Sequence, residues 1–224
     1  MDPIVQLLVA TAAFLATHFV SATPLRPALV AKLGERGYVA LYSLAALAAL
    51  GWMIWAYVKA PPQILWIGER LLPAVVMPFA FILLACGFFA RNPTLVGADR
   101  LIRSPEPARG IIRVTRHPIM WGIMLWAGAH ILARGELKAL VFFGGFLALA
   151  AIGTLAMDSR KARDLGEDWQ RFAAVTSHLP FVAIAQGRNR LDWREIGWRN
   201  PAIGVAAYAL FFWLHAWLFG ARPY

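Results

Sequence analysis

GIIRVTRHPIMWGIMLWAGAHILAR, residues 110–134, decides the fold. It opens on a basic strip, Arg113 and Arg116, and then runs from Pro118 to Ala133 with one ionisable side chain, His130. Arg116 and Arg134 bracket 17 residues. As a helix these span about 25 Å, enough to cross a slightly thinned hydrocarbon core. A segment that loses its charges at an Arg-His-Pro triplet and regains them one bilayer later reads as a membrane helix. It carries an imidazole where imidazoles are costly.

The rest of the chain repeats the pattern. Of 224 residues, 60% are apolar and 15% charged, more apolar and less charged than an ordinary soluble domain. Runs without Asp, Glu, Lys or Arg occupy 3–25, 39–58, 71–90, 117–133, 139–157 and 201–221. Each is close to the ~20 residues a spanning helix needs. The expectation is an all-α integral membrane bundle of about six transmembrane helices, forming one domain over 1–224. The N-terminus has Asp2 and no positive n-region, so no secretory signal peptide is expected. The net charge of +10 follows from topology: segments 24–37, 91–116 and 158–199 hold 17 of the 22 Lys and Arg. The positive-inside rule puts those segments in the cytoplasm and both termini on the periplasmic side of a bacterial inner membrane. Anionic lipid headgroups account for the Arg residues at helix ends, so membrane lipids, not nucleic acid, are the partner the charge implies. The one cysteine, Cys86, excludes an intramolecular disulfide and reads as a small buried hydrophobe.

Between the spans the sequence predicts particular devices. Leu25, Leu29 and Leu33 recur four apart beside Arg26, Lys32 and Arg36, as in a short amphipathic helix on the cytoplasmic membrane face. Pro24 closes the first span before it, and Gly34 and Gly37 break it from the second. Pro61-Pro62 makes a stiff turn, and Pro73 and Pro78 bend the third span. Residues 91–116, with three Pro and six Arg, form a polar cytoplasmic connection, read either as a basic lipid-facing loop or as a lid over a cavity. After the fifth span the charged stretch from Asp158 continues as a helix into the cytoplasm until Ser177-His178-Leu179-Pro180 stops it.

Three of the five His, His18, His130 and His215, fall inside apolar runs. An interhelical hydrogen bond would account for any one of them, at roughly 0.6 kcal/mol. Three together, with no acid in the spans to build a proton relay, point to metal ligation. Imidazoles from separate helices are a familiar way to hold a haem. Zinc fits less well, since no thiolate or carboxylate completes a tetrahedron. Ideal helices put His18 and His130 about 9 Å apart in depth, but His130 and His215 only about 4.5 Å. His215 is therefore the rival second ligand. Arg116 and His117, at the rim, could take an anionic substrate group or meet only lipid phosphate.

HFVSATPLR (18–26), GIIRVTRHPIMWG (110–122), WAGAHILARG (126–135) and DSRKARDLGEDWQRFAAVTSHLPFVAIAQGR (158–188) together resemble the NnrU family. That family includes bacterial proteins linked to nitrite and nitric oxide metabolism and the plant zeta-carotene isomerases. The resemblance implies haem b with His18 and His130 as axial ligands. It further implies either a denitrification-linked role or redox-dependent cis–trans isomerisation of a polyene. Its partners would be a hydrophobic small molecule or nitric oxide, and a respiratory redox protein. In the isomerases a Cys three residues before the second His is proposed to exchange as a ligand; here Ala127 stands there. Two other classes compete. RHPIMWG, the later polar helix and its Leu-Pro end are similar to S-adenosylmethionine-dependent isoprenylcysteine and phospholipid methyltransferases, although Met120-Trp121 and Asp158-Ser159 depart from their pattern. A non-catalytic accessory protein is the third reading.

Overall fold

The structure, a computed structural model, describes residues 1–20, 23, 25–95 and 97–223. Pro24, expected to end the first span, lies outside the described residues. Among them the chain is helical: α1 Pro3–Phe19, α2 Leu25–Lys59, α3 Leu72–Phe89, α4 Pro118–Arg134, α5 Leu137–Leu165, α6 Glu167–Ala174, α7 Val182–Ala185, α8 Trp193–Ile196 and α9 Arg199–Phe219. Helices α2, α3, α5 and α9 are long and apolar enough to cross a membrane. Helices α1 and α4, where the sequence reading puts two more spans, have 17 residues each. Leu44, Leu47, Phe79, Leu155, Trp213 and Trp217 are each at least 60% exposed. So much bare apolar side chain on helices is stable only against lipid.

The chain divides into two compact units, residues 1–69 with 130–149 and residues 70–129 with 150–224. In the first, α1 starts cleanly because the Asp2 carboxylate accepts from Ile4 N (2.8 Å) and Val5 N (3.1 Å), with Pro3 in the first turn. Leu7, Ala10 and Phe14 of α1 and Met53 and Ala56 of α2 are buried, and α1 packs along α2. The amphipathic start of α2 is set off by a kink at Gly34 (φ 70°, ψ 165°), as the sequence predicts. After the Pro61-Pro62 turn, the chain pairs with the α4–α5 junction. Leu65 N donates to Gly135 O (2.8 Å) and Leu137 N to Gln63 O (2.9 Å). Gly135 is required there. Its φ is +62° and an added Cβ would lie 2.1 Å from Trp66 O.

In the second unit α3 crosses α9 at close range. A Cβ on Gly204 would fall 2.7 Å from both Ile82 Cα and Phe81 O, so the two backbones are nearly in contact. Tyr208 Oη donates to Ala74 O (3.1 Å) across the same seam. Gly204→Ala is expected to cost roughly 1–3 kcal/mol by overpacking against backbone that cannot yield. A thermal unfolding series in detergent, with Ala207→Gly on the same helix as control, reads this.

Residues 91–116 are neither a free loop nor a bare lid. Ile102, Ala108, Ile111, Ile112 and Val114 are buried with Cys86, Trp169 and Phe172 in one apolar cluster. Asp99 pairs with the buried Lys161 of α5, and Arg103 donates to Asp168 of α6 (2.9 Å). The connection is a packed layer over the second unit, and it fixes where Arg116 and His117 emerge.

Candidate functional site

Arg116 and His117 sit at the threshold of α4, where backbone bonds lock the approach. Arg116 N donates to Ser177 O (3.0 Å) and Phe181 N to Val114 O (2.8 Å). Thr94 Oγ1 donates to Arg116 O (3.0 Å). Both side chains then turn to one acceptor, Asp158 of α5. Arg116 donates from Nε (2.9 Å) and Nη2 (2.5 Å) to Oδ2. His117 Nε2 lies 2.7 Å from Oδ1. His117 is 1% exposed, and the Arg116 guanidinium also lies 5.7 Å from the Trp169 ring centre. An ionised carboxylate only accepts, so His117 Nε2 carries the proton. Its buried Nδ1 has no hydrogen-bond partner.

His178 completes the cluster. Its ring centre is 5.4 Å from that of His117, with planes inclined 62°. Its Nε2 is 2.6 Å from Thr154 Oγ1. The Thr154 hydroxyl hydrogen is already given to Ala151 O (2.7 Å), so Thr154 accepts and His178 Nε2 donates. The His178 carbonyl is held by Thr115 Oγ1 (2.7 Å) and Trp121 Nε1 (2.8 Å). Burial, and next to it the neighbouring His117, pulls the His178 imidazole below its ordinary pKa. His178 and Arg116 line a shallow depression of about 580 Å³.

A second ion pair steadies the cluster from outside. Arg113 grips Glu195 at two points (Nε–Oε2 2.7 Å, Nη2–Oε1 2.8 Å), and Gly110 N donates to the same carboxylate (2.9 Å). The Arg113 hydrogen bonds, helped by Gly110 N–H, hold Glu195 at about 2. A depressed carboxylate pKa stabilises the fold above its unfolded value, and this is lost as pH falls through the window between. Glu195→Gln should therefore lower the unfolding temperature at pH 7. The gap from wild type should close between about pH 4.3 and about pH 2. Unfolding followed against pH checks this.

The intramembrane His residues lie elsewhere. His18 and His130 both belong to the first unit and His215 to the second. His18 Nδ1 is 2.8 Å from Phe14 O; a carbonyl only accepts, so Nδ1 carries the proton. His130 stacks on Phe143 at 4.9 Å. A run of ring contacts joins the two imidazoles: His18 to Phe14 at 4.4 Å, then Phe146 at 5.2 Å, Phe142 at 5.3 Å, Phe143 at 5.1 Å, and His130. His215 Nδ1 is 2.7 Å from Ala221 O. Among the described residues no group of three or more His, Cys, Asp or Glu is placed to hold a metal ion.

The sequence reading named Arg116 and His117 but missed Asp158, His178 and Thr154. Asp158 is the first acid after the apolar run of α5, a position that places it at the level where α4 begins only once the helices are packed.

The profile of the family described as "NnrU protein" matches residues 6–223. The chain is 37% identical over 100 residues, 44% of its length, to the chloroplastic 15-cis-zeta-carotene isomerase of Arabidopsis thaliana. It is 33% identical over 103 residues, 45% of its length, to the corresponding protein of Zea mays. These matches span 27% and 28% of those relatives. No solved structure matches the chain.

Proposed function

Because the chain belongs to the NnrU family, we propose that it is a membrane-embedded, haem b-dependent cis–trans isomerase of a conjugated polyene. The observation that carries this reading is the 37% identity to 15-cis-zeta-carotene isomerase. Its substrate is then a long apolar molecule drawn from the bilayer, which needs no aqueous path. In this reading the protein sits in a bacterial inner membrane with both termini periplasmic. That orientation leaves the Arg-rich segments 24–37, 91–116 and 158–199 in the cytoplasm.

His18 and His130 are the residues that would hold the haem. The His18 proton given to Phe14 O (2.8 Å) fixes the ring's direction, as a backbone carbonyl does for a ligating imidazole. His130 stacks on Phe143 (4.9 Å), which holds the plane of its ring. Phe14, Phe142, Phe143 and Phe146 give the surroundings an apolar aromatic lining that suits both a porphyrin and a polyene and excludes water. When bound, haem b supplies an iron that exchanges electrons with a conjugated double bond and so eases its rotation.

Ala127, fully buried, favours a second reading. Without a thiolate to exchange, loss of one imidazole would leave a position for nitric oxide, in keeping with a role in nitrite and nitric oxide metabolism. One experiment separates the two. The protein is produced in bacterial cells that accumulate 15-cis-zeta-carotene, kept in darkness, and the isomers are resolved by chromatography. Conversion above the empty-vector control, lost in His18→Ala, supports the isomerase. Haem-loaded protein that leaves the isomer ratio unchanged but binds nitric oxide supports the second reading.

A further inference from the structure

The His117–His178 pair has features that the isomerase reading does not use. Both imidazoles have one nitrogen committed. His117 Nε2 is tied to Asp158 (2.7 Å) and His178 Nε2 to Thr154 (2.6 Å). In the neutral form of each ring, the proton sits on the committed Nε2 and Nδ1 keeps its lone pair. The His117 Nδ1 is completely buried and unpartnered. An unpartnered buried nitrogen of this kind is costly unless something fills it. The backing groups are those of a ligating histidine: a carboxylate behind one ring, a hydroxyl behind the other, each fixing tautomer and orientation.

The spacing carries the inference further. With Zn–N bonds of about 2.0–2.1 Å, two imidazoles meeting one tetrahedral ion have ring centres about 5.2 Å apart. The observed separation is 5.4 Å with the planes inclined. The Arg116 charge beside the pair is directed into the Asp158 carboxylate by two hydrogen bonds, so it does not bar a cation from two neutral rings. His178 also lines the depression of about 580 Å³.

We propose that His117 and His178 form a transition-metal site through their Nδ1 atoms, taking a borderline divalent ion such as Zn²⁺ and leaving open positions for water or an exogenous ligand. Asp158 and Thr154 are positioning residues: they touch the imidazoles and not the ion. The site stands apart from the haem reading and shares no residue with it.

The test uses full-length, tag-free protein in detergent. Calorimetric titration with Zn²⁺ is expected to show a site lost in His178→Gln and weakened roughly 10–100-fold in Thr154→Val, which keeps both rings but removes the hydroxyl behind one. Titration of wild type with Co²⁺ should give the visible d–d bands of a tetrahedral ion, and these should be absent in His178→Gln. Unfolding temperatures are recorded for every variant, so that a folding defect is not read as a lost ligand. Wild type that takes up no Zn²⁺ would overturn the proposal. So would affinity and cobalt bands that are unchanged in both variants. Protein with a full haem spectrum and no Zn²⁺ uptake defeats this site alone, whereas Zn²⁺ uptake by haem-free protein defeats only the haem reading.

Discussion

Asp158→Ala is expected to destabilise the protein by about 3 kcal/mol, the low end for stranding one side of a buried charge pair. One carboxylate here serves two donors. Its loss leaves the Arg116 guanidinium, only 15% exposed, and the His117 imidazole, 1% exposed, without their acceptor. The cost comes from the stranded cation more than from the lost attraction, since burying an unpaired charge is the expensive term. Asp158→Asn keeps one acceptor oxygen and should recover part of the loss. Thermal unfolding of the two variants in the same detergent measures it. Equal stability of Asp158→Ala and wild type would mean that water reaches these groups.

His130→Ala is expected to purify without most of its haem absorbance, and His18→Ala likewise. In the proposed reading each substitution removes one of the two nitrogens that would hold the haem and leaves a gap the size of an imidazole in an apolar wall. Imidazole added to the buffer should restore part of the band in His130→Ala, because the gap then accepts the free ligand. His215→Ala should keep the band, because in the proposed reading His18 and His130 supply both nitrogens. Loss of the band in His215→Ala alone would move the second ligand from the first unit to the second.

Much of the architecture was legible because apolar runs have an unambiguous length and charges mark their ends. The kink at Gly34 and the charged extension of α5 match the reading, but the extension ends at Leu165, where Gly166 (φ 50°) breaks it and α6 carries the chain on to Ala174. Pro73 behaves as a helix starter and not as a bend, since Pro fits the first turn where no N–H is needed. The layer formed by 91–116 was harder to see. Its Ile102, Ile111 and Ile112 are scattered among six Arg with no period, and only the cluster with Trp169 and Phe172 gives them an inside.

The site divides in the same way. Arg116 and His117 announce themselves at the mouth of an apolar run. Their partner Asp158 lies 42 and 41 positions away on another helix, and His178 stands in a Leu-Pro segment that reads only as a helix stop. Pairing across helices leaves no periodic trace in sequence. Conversely, His18, His130 and His215 stand out by falling inside apolar runs, and the family resemblance pairs the first two. The aromatic rings that join them, Phe14, Phe146, Phe142 and Phe143, come from α1 and α5 and become a wall only in the folded unit.

The most direct measurement is the absorption spectrum of the purified protein, first oxidised and then reduced with dithionite, after expression with haem precursor supplied. The account predicts a Soret band with the sharpened visible bands of a low-spin, bis-imidazole haem b on reduction, near one haem per chain. Colourless protein, folded and haem-supplied, would contradict it.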